Sequence, residues 1–171
     1  MRHQERLAAY EALLRTYVAA LRRLSYAYTR EPGEREDLFQ EIALALWTAL
    51  PQFRGDASER TWLYRIAHNT AIRFTTKTTR RVRHERPVED VDEPMSPNNP
   101  ERSAIDAQQR QQLWTAVYTL PLPDRQIVLL HLEGLSAADI EAITGFSAGS
   151  VATRLTRARQ KLAAGIRGDE R

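Results

Sequence analysis

The 171-residue chain sets 25 Lys and Arg against 22 Asp and Glu, for a net charge of +3, with 42% hydrophobic residues and no cysteine. That length and apolar content suit one ordinary domain or two small lobes, while the lack of cysteine excludes a disulfide framework, a thiolate zinc site and a cysteine redox switch. No run approaches the roughly 18 apolar residues of a membrane span, and the start Met1-Arg2-His3-Gln4-Glu5-Arg6 lacks the apolar stretch of a signal peptide, so a cytoplasmic protein is expected.

Helical spacing first appears from Leu7 to Tyr28, where Leu7, Tyr10, Leu14, Tyr17, Val18, Leu21, Leu24 and Tyr28 form one stripe, ending before Pro32-Gly33. A second helix is predicted from about Glu34 to Leu50, anchored by Leu38, Ile42, Leu46 and Trp47 and stopped by Pro51. Its exposed side is acidic, with Glu34, Glu36, Asp37 and Glu41. The loop Gln52 to Ala57 holds Arg54-Gly55-Asp56, and Ser58 is placed to cap a third, basic and aromatic helix reaching about Thr79.

From Arg80 to Arg102 charge and four prolines (Pro87, Pro94, Pro97 and Pro100) replace the helical period, which predicts a flexible linker. Helix returns from Ser103 to Leu120 through Ile105, Leu113, Trp114, Val117 and Tyr118. Leu120-Pro121-Leu122-Pro123 breaks it before a helix from Asp124 to Glu133. With no alternating strand pattern, the fold class is all-α: two small helical lobes joined by a flexible linker, with boundaries at 1–80, 81–102 and 103–171.

The last third reads as a helix-turn-helix. Ser136 with Asp139 forms a capping-box start, Gly145 closes a short helix and Ser147 caps the next. Leu130, Ile140, Ile143, Phe146, Val151 and Leu155 fall where two crossing helices bury a common face, and Ser150, Thr153, Arg154 and Arg157 are expected to face outward toward a major groove. Basic residues gather here and again at Arg60, Arg65, Arg73, Lys77, Arg80, Arg81, Arg83 and Arg86, which suggests two contacts with a polyanion.

With these residues in hand, the chain resembles bacterial RNA polymerase sigma factors of the extracytoplasmic-function type, within the sigma-70 family. Glu36-Asp37-Leu38-Phe39-Gln40-Glu41-Ile42 with Leu46-Trp47 is similar to the polymerase-binding stretch of region two, and Phe53-Arg54-Gly55-Asp56 with Thr61 to Asn69 to its promoter-melting stretch. Leu120-Pro121, Gly134-Leu135-Ser136, Gly145-Phe146-Ser147, Gly149-Ser150-Val151, Thr153-Arg154-Leu155 and Arg157-Ala158-Arg159 resemble region four.

The resemblance implies that Asp37, Leu38, Gln40 and Glu41 bind the clamp helices of core polymerase, which also meets the factor at its flap. It implies minus-ten contacts, with the non-template single strand and its flanking duplex, from Phe53, Arg54, Gly55, Asp56, Trp62, Asn69, Arg73, Lys77 and Arg80. Ser150, Thr153, Arg154 and Arg157 are then the minus-thirty-five residues. Ala152 departs from the family, which often has a basic residue there, and offers only apolar contact, for instance to a thymine methyl. An anti-sigma factor is an implied partner. No catalytic residue, cofactor or metal is expected: His3, His68, His84 and His131 lack mutual ligand spacing, which disfavours an enzyme such as a nuclease. The competing reading is a stand-alone helix-turn-helix regulator, which leaves the acidic helix and the stretch from Trp62 to Asn69 without a role.

Overall fold

The computed structural model describes residues 3–82 and 112–168, and every regular element among them is helical. Helix α1 spans His3–Tyr28, α2 Pro32–Ala49 and α3 Glu59–Val82, with a 3-10 turn at Leu50–Gln52. The described part of α4, residues 112–118, precedes α5 (Leu122–Leu132), α6 (Ala137–Thr144) and α7 (Ala148–Gly168). The expected all-α fold and its two helical lobes, α1–α3 and α4–α7, are present. Most of the expected linker, and the start of the helix expected from Ser103, lie outside the described residues; the backbone of Arg81 and Val82 continues α3.

Two helices begin earlier than their sequence spacing suggests, and proline is the reason. Helix α2 starts at Pro32 rather than Glu34, and α5 at Leu122 rather than Asp124, with Pro32 and Pro123 in their first turns. An N–H in the first turn has no partner inside the helix, so proline loses nothing there and its fixed φ helps. The other starts follow local chemistry. Ser58 Oγ accepts the Thr61 N–H at 3.0 Å as α3 begins. Ser136 Oγ accepts the Asp139 N–H at 3.1 Å while the Ser136 N–H donates to Asp139 Oδ2 at 3.2 Å, so both halves of the capping box are formed. Helix α6 then stops at Gly145, whose φ of 77° is one that a Cβ disfavours.

The row Tyr10, Leu13, Tyr17, Leu21, Leu24 and Tyr28 turns α1 toward the core. Leu7 and Val18, counted in the expected stripe, are exposed instead, and Leu13 is the residue that is buried. Leu21, Leu38, Ile42, Leu46, Leu63 and Ala67 are wholly inaccessible, and in the second lobe so is Ile127. Truncating one such leucine to alanine costs about 2 to 5 kcal/mol.

The lobes do not keep separate cores. Helix α5 lies against α1 and α6 against α3, and most buried residues of both lobes join in one cluster that runs from Leu13 through Leu63 to Ile127, Ile140 and Val151, while Leu120, Val128 and Ala158 form a small second one under α7. Polar contacts seal the junction. Arg125 donates to Ala27 O at 3.1 Å, and to Tyr118 O and Leu120 O at 3.1 Å each, while the Tyr118 hydroxyl bonds the carbonyls of Tyr26 and Thr29 at the end of α1. The carbonyls of Tyr26, Ala27 and Thr29, which the helix itself leaves without a partner, thereby find donors.

Candidate nucleic-acid interface

The loop leading into α3 is exposed at Arg54, Gly55 and Asp56, and Gly55 takes a φ of 80°. Phe53 and Trp62 flank it with ring centroids 4.8 Å apart and planes tilted by 42°; both are half-buried, and Trp62 also packs against the core. Farther along, Asn69, Arg73 and Lys77 form an exposed row at helical spacing, and Arg73 Nε donates to Asn69 O at 3.3 Å. Arg80 lies on α3 with its side chain outside the described ones.

The acidic helix separates its four expected residues. Asp37, Gln40 and Glu41 are exposed, but Leu38 has no accessible surface. Leu38 therefore anchors α2 in the core and offers no surface to a partner. Exposed Leu44 adds an apolar element to that surface, one that the charge pattern did not single out. A groove of about 330 Å³ between α2 and α3 is lined by Glu41, Leu44, Ala45, Thr70, Arg73, Phe74 and Lys77. It brings a residue expected to meet polymerase beside two expected to meet DNA.

In the second lobe α7 is packed on α5 and α6 through Val151 and Ala158, both buried. Ser147 Oγ accepts the Ser150 N–H at 3.3 Å, and Glu141 accepts the Ala148 N–H at 3.1 Å, so donors at the helix start are occupied. Ser150 is half-buried, and Thr153 and Arg157 are exposed. Arg154 is not outward as expected. Its NH1 donates to Asp124 Oδ1 at 2.6 Å and its guanidinium lies 4.6 Å from the Phe146 ring centroid, folding the side chain back against α5 and the turn. Arg159 donates to His131 Nε2 at 3.0 Å, and Lys161 is exposed.

One contact reaches between the two lobes at this site. The Thr61 hydroxyl donates to Asp139 Oδ1 at 2.8 Å, and Ser58 Oγ lies 2.7 Å from Thr61 Oγ1. Thr61 has a single proton, already given to the carboxylate, so Ser58 donates to Thr61. Hydrogen bonds from Ser136 and then Thr61 hold the Asp139 carboxyl below its usual range. Asp139 thus caps α6 and ties it to the start of α3.

Among the described residues no group of three or more His, Asp or Glu could hold a metal ion. His68 is buried and shares a 2.6 Å hydrogen bond with the Tyr28 hydroxyl, and burial pushes its pKa down to about 4. It is a neutral core residue.

Two family descriptions match the chain: Sigma-70 region 2 over residues 13–81 and Sigma-70 region 4 over residues 110–162. The chain belongs to the sigma-70 family. Its curated relatives place it within the extracytoplasmic-function group. It is 35% identical over 142 residues to the ECF RNA polymerase sigma-E factor of Escherichia coli strain K12, covering 76% of this chain and 72% of that one. It is 30% identical to the ECF sigma factor SigE of Mycolicibacterium smegmatis, covering 93% of this chain and 62% of the relative. Among solved structures, the sigma factor RpoE from Bartonella quintana, crystallised with the anti-sigma factor NepR, has the same fold with a TM-score of 0.76 at 22% identity, over 93% of this chain and 97% of that one. CnrH in complex with the cytosolic domain of CnrY gives 0.69 at 22% identity, over 95% and 90% of the two chains. The protein is therefore a sigma factor, a non-catalytic specificity subunit that binds core RNA polymerase and promoter DNA to direct transcription initiation. The stand-alone regulator reading falls with the region 2 match.

Proposed function

We propose that this sigma factor divides promoter recognition between its lobes, with residues 1–80 engaging the minus-ten element and residues 103–171 the minus-thirty-five element. The half-buried aromatic pair of Phe53 and Trp62 at the head of α3, continued by exposed Asn69, Arg73 and Lys77, is the observation that carries this reading. A base leaving the duplex needs a surface to replace its lost stack, and Trp62 with Phe53 supplies one; Arg54, Gly55 and Asp56 beside it line its path. Asn69 has donors and acceptors for a base edge, and Arg73, Lys77 and Arg80 have charge for phosphates, which position rather than specify.

Asp37, Gln40 and Glu41 present acceptors on one exposed stretch of α2 for the basic groups of the polymerase clamp, with the second lobe at the flap. Helix α7 enters the major groove of the upstream element, where Thr153 and Arg157 meet bases and Ser150 stands near the backbone. An anti-sigma factor holds the protein inactive, in line with the RpoE structure, which contains one. These tasks require a cytoplasmic protein. No helix among the described residues is long and apolar enough to cross a membrane.

Transcription in vitro with purified bacterial core polymerase and a promoter library tests the assignment. Initiation from a defined promoter set, lost in the minus-ten half with Trp62→Ala and in the minus-thirty-five half with Arg157→Ala, is the expected result. Promoters that keep their selectivity in both variants would refute it.

A further inference from the structure

The first two turns of the exposed face of α7 offer few free hydrogen-bond donors; those come later, with Arg157 and Gln160. Gly149, Ala152 with Thr153, Thr156 with Arg157, and Gln160 are all exposed and recur once per turn, while Val151 and Ala158 are buried and Leu155 is half-buried. Arg154 is withdrawn from this face by Asp124 and Phe146. Thr153 Oγ1 donates to Gly149 O at 3.0 Å and Thr156 Oγ1 to Ala152 O at 3.0 Å, so both hydroxyl protons are spent on the helix's own backbone. What each threonine leaves for a ligand is its Cγ2 methyl and an oxygen that can only accept, and Ala152, one turn before Thr156, adds its Cβ. Arg157 follows with no hydrogen-bond or ion-pair partner among the described residues.

In the major groove the apolar feature is the C5-methyl of thymine, and the feature that suits a free guanidinium is the paired N7 and O6 of guanine. We propose that α7 reads its element by packing the methyl groups of Ala152, Thr153 and Thr156 against adjacent thymines, with Arg157 placed on a neighbouring guanine. From residue 152 to residue 157 the helix rises about 7 Å, enough for two or three base pairs. Thr156 joins the specificity set, and Arg154 leaves it to become a strut that fixes α7 on α5. This inference rests on the proposed role of α7 at the upstream element.

Thymine and deoxyuridine differ by that methyl alone, so they isolate the contact. The test uses holoenzyme made from the full chain and core polymerase, on a promoter recovered from the library, with thymines of the upstream element replaced one at a time by deoxyuridine. Binding falls about four-fold for each contacted methyl. Thr156→Ser, which keeps the hydroxyl, loses a similar factor and becomes indifferent to deoxyuridine at the matching position; Thr156→Val, which keeps the methyl, binds as the parent does. A parent enzyme blind to every deoxyuridine, or a Thr156→Val variant that loses what Thr156→Ser retains, overturns the inference while two-element recognition survives. Initiation unaffected by scrambling the whole upstream element overturns the role of α7 there, and this inference with it.

Discussion

Arg23 of α1 grips Glu133, at the end of α5, with two hydrogen bonds, Nε to Oε1 at 2.6 Å and NH2 to Oε2 at 2.9 Å. The Tyr64 hydroxyl of α3 donates to the same carboxylate at 3.0 Å, so one acidic side chain of the second lobe is bound by two helices of the first. Burial would raise the Glu133 pKa, but the hydrogen bonds from Arg23 and Tyr64 and the charges of Arg23 and Arg60 outweigh it and leave the carboxyl below its usual range. The folded form therefore prefers the carboxylate. Its contribution to stability is in place above about pH 4.5 and is lost as the pH falls through the lower folded value.

Glu133→Gln keeps the shape and removes the charge. Arg23 is half-exposed, which screens its part, so the expected cost is about 1 to 2 kcal/mol by urea denaturation. The chain has no cysteine, so introduced cysteines at Glu11 and Gln160 can carry a donor and an acceptor dye, one on each lobe. Energy transfer should drop in Glu133→Gln, and raising the salt should lower it in the parent more than in the variant. Unchanged transfer and unchanged stability would dismiss Glu133 as a tie between the lobes.

Such a tie could not be read from the sequence. Arg23 and Glu133 are 110 positions apart, and a linker rich in charge and proline gives no hint that the lobes it joins will dock. What was legible was local: the Ser136 and Asp139 cap, the turn at Gly145, the serine before α3. Burial was partly legible. Leu38 falls in step with Ile42 and Leu46, so the period that made it a core anchor also disqualified it as a contact for polymerase, while the motif it belongs to suggested the opposite. Arg154 lies on the seam between core and surface of α7, and only the placement of Asp124 and Phe146 decides which way it turns.

Acid should weaken the first lobe before it touches Glu133. His68 titrates near 6.5 when free and at about 4 in the folded protein, because burial disfavours the imidazolium. A depressed folded value means that the stability it supports is complete above pH 6.5 and is lost as the pH falls toward 4, by about 3 kcal/mol at most and about 2 kcal/mol by pH 5. Urea midpoints measured at pH 7.5 and pH 5 check this. His68→Leu should lose stability at both values but show a shallower dependence on pH; an equally steep slope in that variant would assign the effect to other groups.

Melting, if Trp62 serves it, can be separated from folding by the template. Stacking of a base on an aromatic ring in single-strand sites is worth about 1 to 3 kcal/mol, so Trp62→Ala should slow open-complex formation about ten- to a hundred-fold on duplex promoter. A template with a pre-opened mismatched bubble at the minus-ten element removes the need to unstack, and the variant should recover most of its rate there. A defect of equal size on both templates would mean that Trp62 only packs against Phe53.

Arg154 and Asp124 supply a double-substitution test of the strut. Asp124 is buried and its carboxylate depends on the Arg154 guanidinium, which in turn covers Phe146. Arg154→Ala strands that carboxylate and exposes the ring, for an expected loss of about 2 to 3 kcal/mol; Asp124→Asn leaves the arginine a neutral partner and should cost about half as much. An ion pair buried on its carboxylate side is often replaceable as a unit, so Asp124→Asn with Arg154→Met should be less damaging than Arg154→Ala alone. Costs that simply add would show that the two side chains act independently. A double variant that regains stability and keeps the parent's choice of upstream element would establish that Arg154 holds α7 in place and leaves the reading of DNA to the face around Thr153, Thr156 and Arg157.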